Sequence, residues 1–135
     1  MTKLTERTVQ DIMTAEPLTA TPEETLMAAL ERMHEGGVSC LIVRLDRGHG
    51  WGVLTHKDAM SILGTTDVKA VLESATVGDV MTAPAVTMPP HYRVDTALDL
   101  MRMLGIRRAP VVDGGELLGV VSFTDVFRRA LADLF

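Results

Sequence analysis

Two short stretches hold the residues of this chain whose types and spacing could do chemistry: Gly52–Asp58, GVLTHKD, and Gly119–Asp125, GVVSFTD. Each closes with a hydroxyl residue and, three positions later, a carboxylate: Thr55 with Asp58, and Ser122 with Asp125. Before a helix this spacing is a capping box, in which the hydroxyl satisfies an orphan backbone N–H and the acid sits where the helix dipole favours it. The same strand-to-helix corner presents backbone donors and a carboxylate that can accept both hydroxyls of a ribose. The two roles are compatible, and the motifs alone leave both open.

Other reactive side chains assemble into nothing comparable. His34, His49, His56 and His91 show no metal-ligand spacing with one another or with Cys40, so no metal site is expected. Cys40 is the single cysteine and cannot form an internal disulfide; it leads into the apolar run Leu41–Val43 and reads as core. Trp51, beside Gly50 and Gly52, reads as packing rather than ligand stacking. Lys57, inside the first motif, could add charge to a phosphate. No nucleophile with a base, paired-carboxylate site or phosphate-binding Gly-rich loop can be composed, which argues against an enzyme and leaves no catalytic residue to name.

The elements that position the motifs come in two copies. Shifted by 68 residues the chain matches itself: Val9, Asp11, Met13, Thr14, Ala15, Thr19, Pro22, Ala29, Leu30, Met33, Gly37 and Val43 all recur. Beyond the first hairpin the shift becomes 67, pairing Gly52 with Gly119 and Asp58 with Asp125. Each repeat reads as strand, helix, strand, strand, helix. In the first, Thr21 is expected to cap a helix with Pro22 at its first position and Glu24 closing the box, and Leu26, Ala29, Leu30 and Met33 form its apolar stripe. Gly36-Gly37 ends it. In the second, the helix is expected to start at Pro90, stripe Val94, Ala97, Leu98 and Met101, and stop at Gly105. Cys40–Thr55 and Ala109–Ser122 read as hairpins, the second with a Gly114-Gly115 turn and the first with a longer loop. Closing helices are expected over 56–63 and 123–134. The predicted organisation is repeat one over 1–63, a short helical linker over 64–76 and repeat two over 77–135. Together they form one α/β module of two β-α-β-β-α units packed sheet to sheet about a pseudo-two-fold axis, since neither unit can cover its own sheet.

As a set, the Val-x-Asp-x-Met-Thr openings, the Gly-ended helices, the Ala-Pro-Val-Val strand and the two Gly-apolar-apolar-hydroxyl-x-x-Asp closes resemble a pair of cystathionine-β-synthase-type (CBS) domains, a Bateman module. The resemblance covers nearly the whole chain. It implies a non-catalytic regulatory module whose clefts bind an adenosyl ligand: AMP, ADP, ATP or S-adenosylmethionine. On that resemblance Asp58 and Asp125 hold ribose hydroxyls, and Thr55 and Ser122 contact ribose or phosphate. Backbone near Thr19-Ala20 and Thr87-Met88 holds adenine, and Arg107 and Arg108 fall where related nucleotide-sensing subunits place basic residues on phosphates. Repeat one departs from the pattern, with Ser39 and Cys40 in place of the arginines and Ile42 in place of Pro110, so the two clefts are expected to differ. The resemblance also pairs Asp58 with Arg107 and Arg108, and Asp125 with Ser39 and Cys40. The rival reading is a ligand-free homodimeric scaffold in which both motifs merely cap helices.

With 135 residues and 47% hydrophobic content the chain can bury a real core, and its net charge of −5 argues against a nucleic-acid surface. No apolar run approaches the roughly 20 residues that span a bilayer, and the polar N-terminus lacks the core of a secretory signal. The expectation is therefore a cytoplasmic protein that needs no cofactor beyond its regulatory ligand. A homodimer is expected from the apolar band Val126, Phe127, Ala130, Leu131, Leu134 and Phe135 of the last helix, with Arg128, Arg129 and Asp133 outside it. The effector protein is unknown.

Overall fold

A computed structural model describes residues 6–46, 50–64 and 67–135. In chain order the elements are α1 (Val9–Ile12), β1 (Thr14–Ala15), β2 (Thr19–Ala20), α2 (Leu26–Gly36), β3 (Cys40–Arg44), β4 (Trp51–Thr55), α3 (His56–Leu63), α4 (Val68–Ser74), α5 (Val77–Val80), α6 (Val94–Leu104), β5 (Arg108–Asp113), β6 (Glu116–Ser122) and α7 (Phe123–Leu134). They form a mixed α/β structure with two three-stranded sheets, ordered β2-β3-β4 and β1-β6-β5.

The compact units and the sequence repeats have different boundaries. One unit comprises residues 18–85, the other residues 1–17 together with 86–135. The leading segment of each repeat thus packs with the body of the other. Met81-Thr82 of the second repeat lies on β4, with backbone bonds exchanged between Val53 and Thr82 at 2.9 Å in both directions. Met13-Thr14 of the first lies on β6, where Thr14 pairs with Val120 and Ala15 with Gly119.

This exchange also decides where the long helices begin. Thr21 does not cap α2; its N–H bonds the Glu24 carboxylate at 2.7 Å in a separate turn, and the helix starts one turn later with Thr25 accepting from the Ala28 N–H at 3.2 Å. Thr25 is held extended by a bridge to Thr76, and the Leu26 N–H is taken by the Ala75 carbonyl at 2.8 Å. Likewise α6 begins at Val94 rather than Pro90, because Arg93 bridges Thr8 and the Val94 N–H bonds the Arg7 carbonyl at 2.8 Å. Both helices end as expected, on Gly37 (φ 62°) and Gly105 (φ 68°), with Val38 and Ile106 donating back to the Met33 and Met101 carbonyls in Schellman turns.

Each unit has its own core. In one, Leu26, Ala29 and Met33 of α2 pack with Leu41, Val43, Leu54, Leu72 and Val77. In the other, Val94, Ala97 and Met101 of α6 pack with Val9, Met88, Val111, Val121 and Val126. The expected linker helix is α4; its N-cap Asp67 accepts from Ala70, and its Leu72 is part of the first core. Ile42, on the face of β3 opposite to Leu41 and Val43, is also fully buried, in keeping with a strand covered on both sides. The tighter hairpin turns through Gly114 and Gly115, both at positive φ, as a two-residue loop between twisted strands requires.

Candidate functional site

The two motifs form matching corners. β4 runs directly into α3 and β6 into α7, so Thr55 and Ser122 are at once the last strand residue and the N-cap, with extended backbone at both. Asp58 N–H donates to Thr55 Oγ1 at 3.2 Å while its Oδ2 accepts from the Thr55 N–H at 2.9 Å. Asp125 N–H donates to Ser122 Oγ at 3.1 Å, and its Oδ2 accepts from both the N–H and the hydroxyl of Ser122 at 3.0 Å. The capping geometry is therefore present in both copies.

A residue absent from the sequence candidates joins the second corner. Thr14 donates its hydroxyl to Asp125 Oδ1 at 3.2 Å. The signal for it was the repeated Met-Thr opening, and the first glycine of each motif has its explanation there. A Cβ on Gly119 would stand 2.6 Å from both Met13 Sδ and the Thr14 carbonyl oxygen, and one on Gly52 would stand 3.2 Å from the Thr82 carbonyl oxygen. Glycine lets the Met-Thr segment cross the strand next to the carboxylate.

Across each hairpin the two corners differ in charge. Arg108 stands directly opposite Ser122, where Cys40 stands opposite Thr55. The Arg107 carbonyl accepts from the first N–H of α7, as the Ser39 carbonyl does from that of α3, so the backbones correspond while the side chains do not. Arg107 is exposed and Arg108 half-buried, and neither makes an ion pair or side-chain hydrogen bond among the described residues. Both belong to the compact unit that contains Asp125, not the one that contains Asp58. Lys57 is exposed on the first turn of α3. Cys40 is only half-buried, at the start of β3 and outside the core, because its strand position faces the corner rather than the helices.

The expected adenine-side segments are in place as strands or bridges. Thr19 and Ala20 pair in parallel with Ile42 and Val43, and the Thr19 carbonyl already accepts from Arg32 at 2.7 Å. In the second copy Thr87 is exposed, while buried Met88 exchanges backbone bonds with Pro110 and Val112. Trp51 is buried with the Arg44 guanidinium 4.8 Å over its ring. Among the described residues no group of three or more His, Cys, Asp or Glu gathers in a way that could hold a metal ion; His56 Nδ1 faces the Ser39 carbonyl and His91 packs edge-on against Tyr92. His49 lies outside the described residues.

The family model of the CBS domain matches residues 9–74 and again 77–132. The chain belongs to the CBS-domain family. It is 30% identical over 118 residues to the CBS domain-containing protein YhcV of Bacillus subtilis, covering 87% of this chain and 81% of that one. Among solved structures it resembles CBSX2 in complex with AMP, at 28% identity and a TM-score of 0.76 over 96% of this chain and 99% of the other. It also resembles the CBS domain of a bacterial CNNM/CorC family Mg2+ transporter in complex with ATP, at 26% identity and a TM-score of 0.79 over 95% and 89%. Curated relatives are matched over anything from 17% to 81% of their own length, so CBS repeats like these also sit within much longer proteins. Among the described residues no helix is long and apolar enough to cross a membrane.

Proposed function

We propose that this CBS pair is a non-catalytic cytoplasmic regulatory module that binds an adenosyl ligand, with adenine nucleotides ahead of S-adenosylmethionine. The observation that carries the reading is the Asp125 corner, where a capped carboxylate, a hydroxyl and Arg107 and Arg108, which have no side-chain partner among the described residues, belong to one compact unit. Asp125 and Asp58 accept the ribose hydroxyls, Ser122 and Thr55 contact ribose or phosphate, and backbone at Thr87-Met88 and Thr19-Ala20 flanks adenine. Arg107 and Arg108 supply charge for phosphate in the second copy. In the first copy Ser39 and Cys40 stand at the corresponding positions, and Lys57 brings charge. The similarity to proteins solved with AMP and with ATP supports this choice of ligand class.

Occupancy signals only if the ligand binds two conformations unequally. A homodimer is the natural framework, supported by the exposed apolar side chains on α7. The competing scaffold reading draws on the capping bonds, which use the motif carboxylates without any ligand.

Calorimetric titration with adenosine and AMP tests the proposal. We expect both to bind, AMP more tightly by ten- to a hundredfold through charge-assisted phosphate contacts. Arg107→Ala/Arg108→Ala is expected to reduce that advantage and Asp125→Ala to remove one site. At about a hundred times its dissociation constant a ligand should raise stability by roughly 2.7 kcal/mol. Absence of any binding or thermal shift with millimolar AMP, ATP or S-adenosylmethionine would favour the scaffold.

A further inference from the structure

β2 is the outer strand of its sheet, and its outer side is already engaged. The Ile42 N–H of β3 bonds the Leu18 carbonyl, and strand alternation then turns the N–H and carbonyl of Thr19 away from β3. An outward-turned residue of this kind offers one donor and one acceptor side by side, the pair that the ring nitrogen and exocyclic amine on the pairing edge of adenine require. Here the acceptor is taken. Arg32, from the middle of α2, donates its Nη1 to the Thr19 carbonyl at 2.7 Å. The guanidinium is itself held, since Nη1 and Nη2 both donate to the Glu24 carboxylate, which also accepts from the Thr21 N–H at 2.7 Å. An incoming amine meets a filled carbonyl beside a fixed cation, donors facing donors.

The second copy lacks this device. The Met88 N–H bonds the Pro110 carbonyl at 2.9 Å and the Met88 carbonyl accepts from Val112 at 3.0 Å, so Thr87, one residue earlier, is turned outward as Thr19 is. Thr87 is exposed, and among the described residues its carbonyl has no hydrogen-bond partner. In the repeat alignment Leu100 stands in the place of Arg32 and Tyr92 in that of Glu24. Neither is a cation, and both pack against the core of their own unit.

We infer that the Glu24–Arg32 pair is a latch that closes the adenine edge of the first copy, so that an adenine ligand takes the edge at Thr87 first. This role rests on the adenosyl reading above. The backbones of the two copies are equivalent at this point, and the side chain at position 32 decides which of them fills. Moving Arg32 off the Thr19 carbonyl gives up a charge-assisted hydrogen bond, which makes the first copy weaker for adenosine by about tenfold or more.

Calorimetry with adenosine, with backbone amide resonances followed by nuclear magnetic resonance, tests the latch. The unmodified chain is expected to bind one tight equivalent, which shifts the resonances of Thr87 and Met88 before those of Thr19 and Ala20. Arg32→Leu is expected to strengthen the second equivalent by about tenfold or more, with Thr19 and Ala20 then shifting alongside Thr87 and Met88. Arg32→Met, which keeps an unbranched stem against β2, is the second variant, and the melting temperature without ligand verifies that each is folded. Inosine, in which a carbonyl oxygen replaces the amine, is expected to bind the Thr87 edge more weakly than adenosine does. The latch is overturned if the folded Arg32 variants bind adenosine as the unmodified chain does, if the unmodified chain already fills both edges equally, or if inosine binds as well as adenosine. No adenosine binding by the unmodified chain or by either variant would instead overturn the adenosyl reading itself, and the latch with it.

Discussion

At the scale of single residues, the motif acids close capping boxes, and the ligand role proposed for them separates from capping by substitution. Removing the cap hydroxyl leaves an orphan N–H at the start of the helix, so Thr55→Ala or Ser122→Ala is expected to cost about 1 kcal/mol in urea unfolding. Ligand affinity should fall further at the same corner. A pH effect attaches to another pair. The Arg32 guanidinium hydrogen-bonded to Glu24 is the main cause holding that carboxyl below its usual 4.5, with the Thr21 N–H assisting against the cost of burial. A lowered folded-state pKa means stability that is present above about pH 4.5 and lost as pH falls through the lower folded value. Because the pair is partly exposed, solvent screening keeps the effect small. Glu24→Gln should therefore lower stability slightly at pH 7 and flatten the acid limb between about pH 5 and pH 2, the two profiles converging in acid; an unaltered acid limb would remove Glu24 from the account.

At the scale of elements, the closing helices are found at His56–Leu63 and Phe123–Leu134, the bounds read from sequence, because a capping box at the end of a strand is a signal complete within four residues. The starts of α2 and α6 were not legible. Thr21-Glu24 makes half of the expected box, the Glu24 carboxylate accepting from the Thr21 N–H, and it closes only a turn; the helices start later, where the Leu26 and Val94 N–H groups bond the Ala75 and Arg7 carbonyls. The glycines of the motifs belong to this scale too. Gly119→Ala places a Cβ against the Thr14 carbonyl, a backbone atom that cannot move aside without breaking the β1–β6 pairing. A loss of about 1–3 kcal/mol is expected in chemical denaturation, and a smaller one for Gly52→Ala, whose closest neighbours stand farther off. Equal losses at both positions would show that the close approach at Gly119 relaxes freely.

At the scale of the whole molecule, the apolar band predicted for α7 divides. Val126 enters the core, whereas Phe127 (65% exposed) and Leu134 (74% exposed) remain on the surface. Arg129 and Asp133, expected outside the band, meet the segment around α1, through the Asp11 carbonyl and an ion pair with Arg7. Met103 and Leu104 at the end of α6 are exposed as well. Apolar surface of this kind favours self-association. Light scattering at tens of micromolar is expected to return twice the chain mass of 14.6 kDa, and Phe127→Glu to return the single mass. A single mass for the unmodified chain would exclude the homodimer at that concentration.

Taken by itself, the order of residues determined the repeat, the mixed α/β class, both strand-to-helix corners, the Schellman ends at Gly37 and Gly105 and the tight Gly114-Gly115 turn. Each of these is a geometry completed within a few residues or a pattern copied along the chain, so no distant partner is needed to read it. Tertiary structure alone decided that Met13-Thr14 lies on β6 and Met81-Thr82 on β4, and that Thr14 bonds Asp125. It also turned Arg129 and Asp133 toward the segment around α1. Those outcomes depend on backbone hydrogen bonds and packing between segments far apart in the chain, where either of two similar repeats offers a matching surface and only the folded contacts select between them.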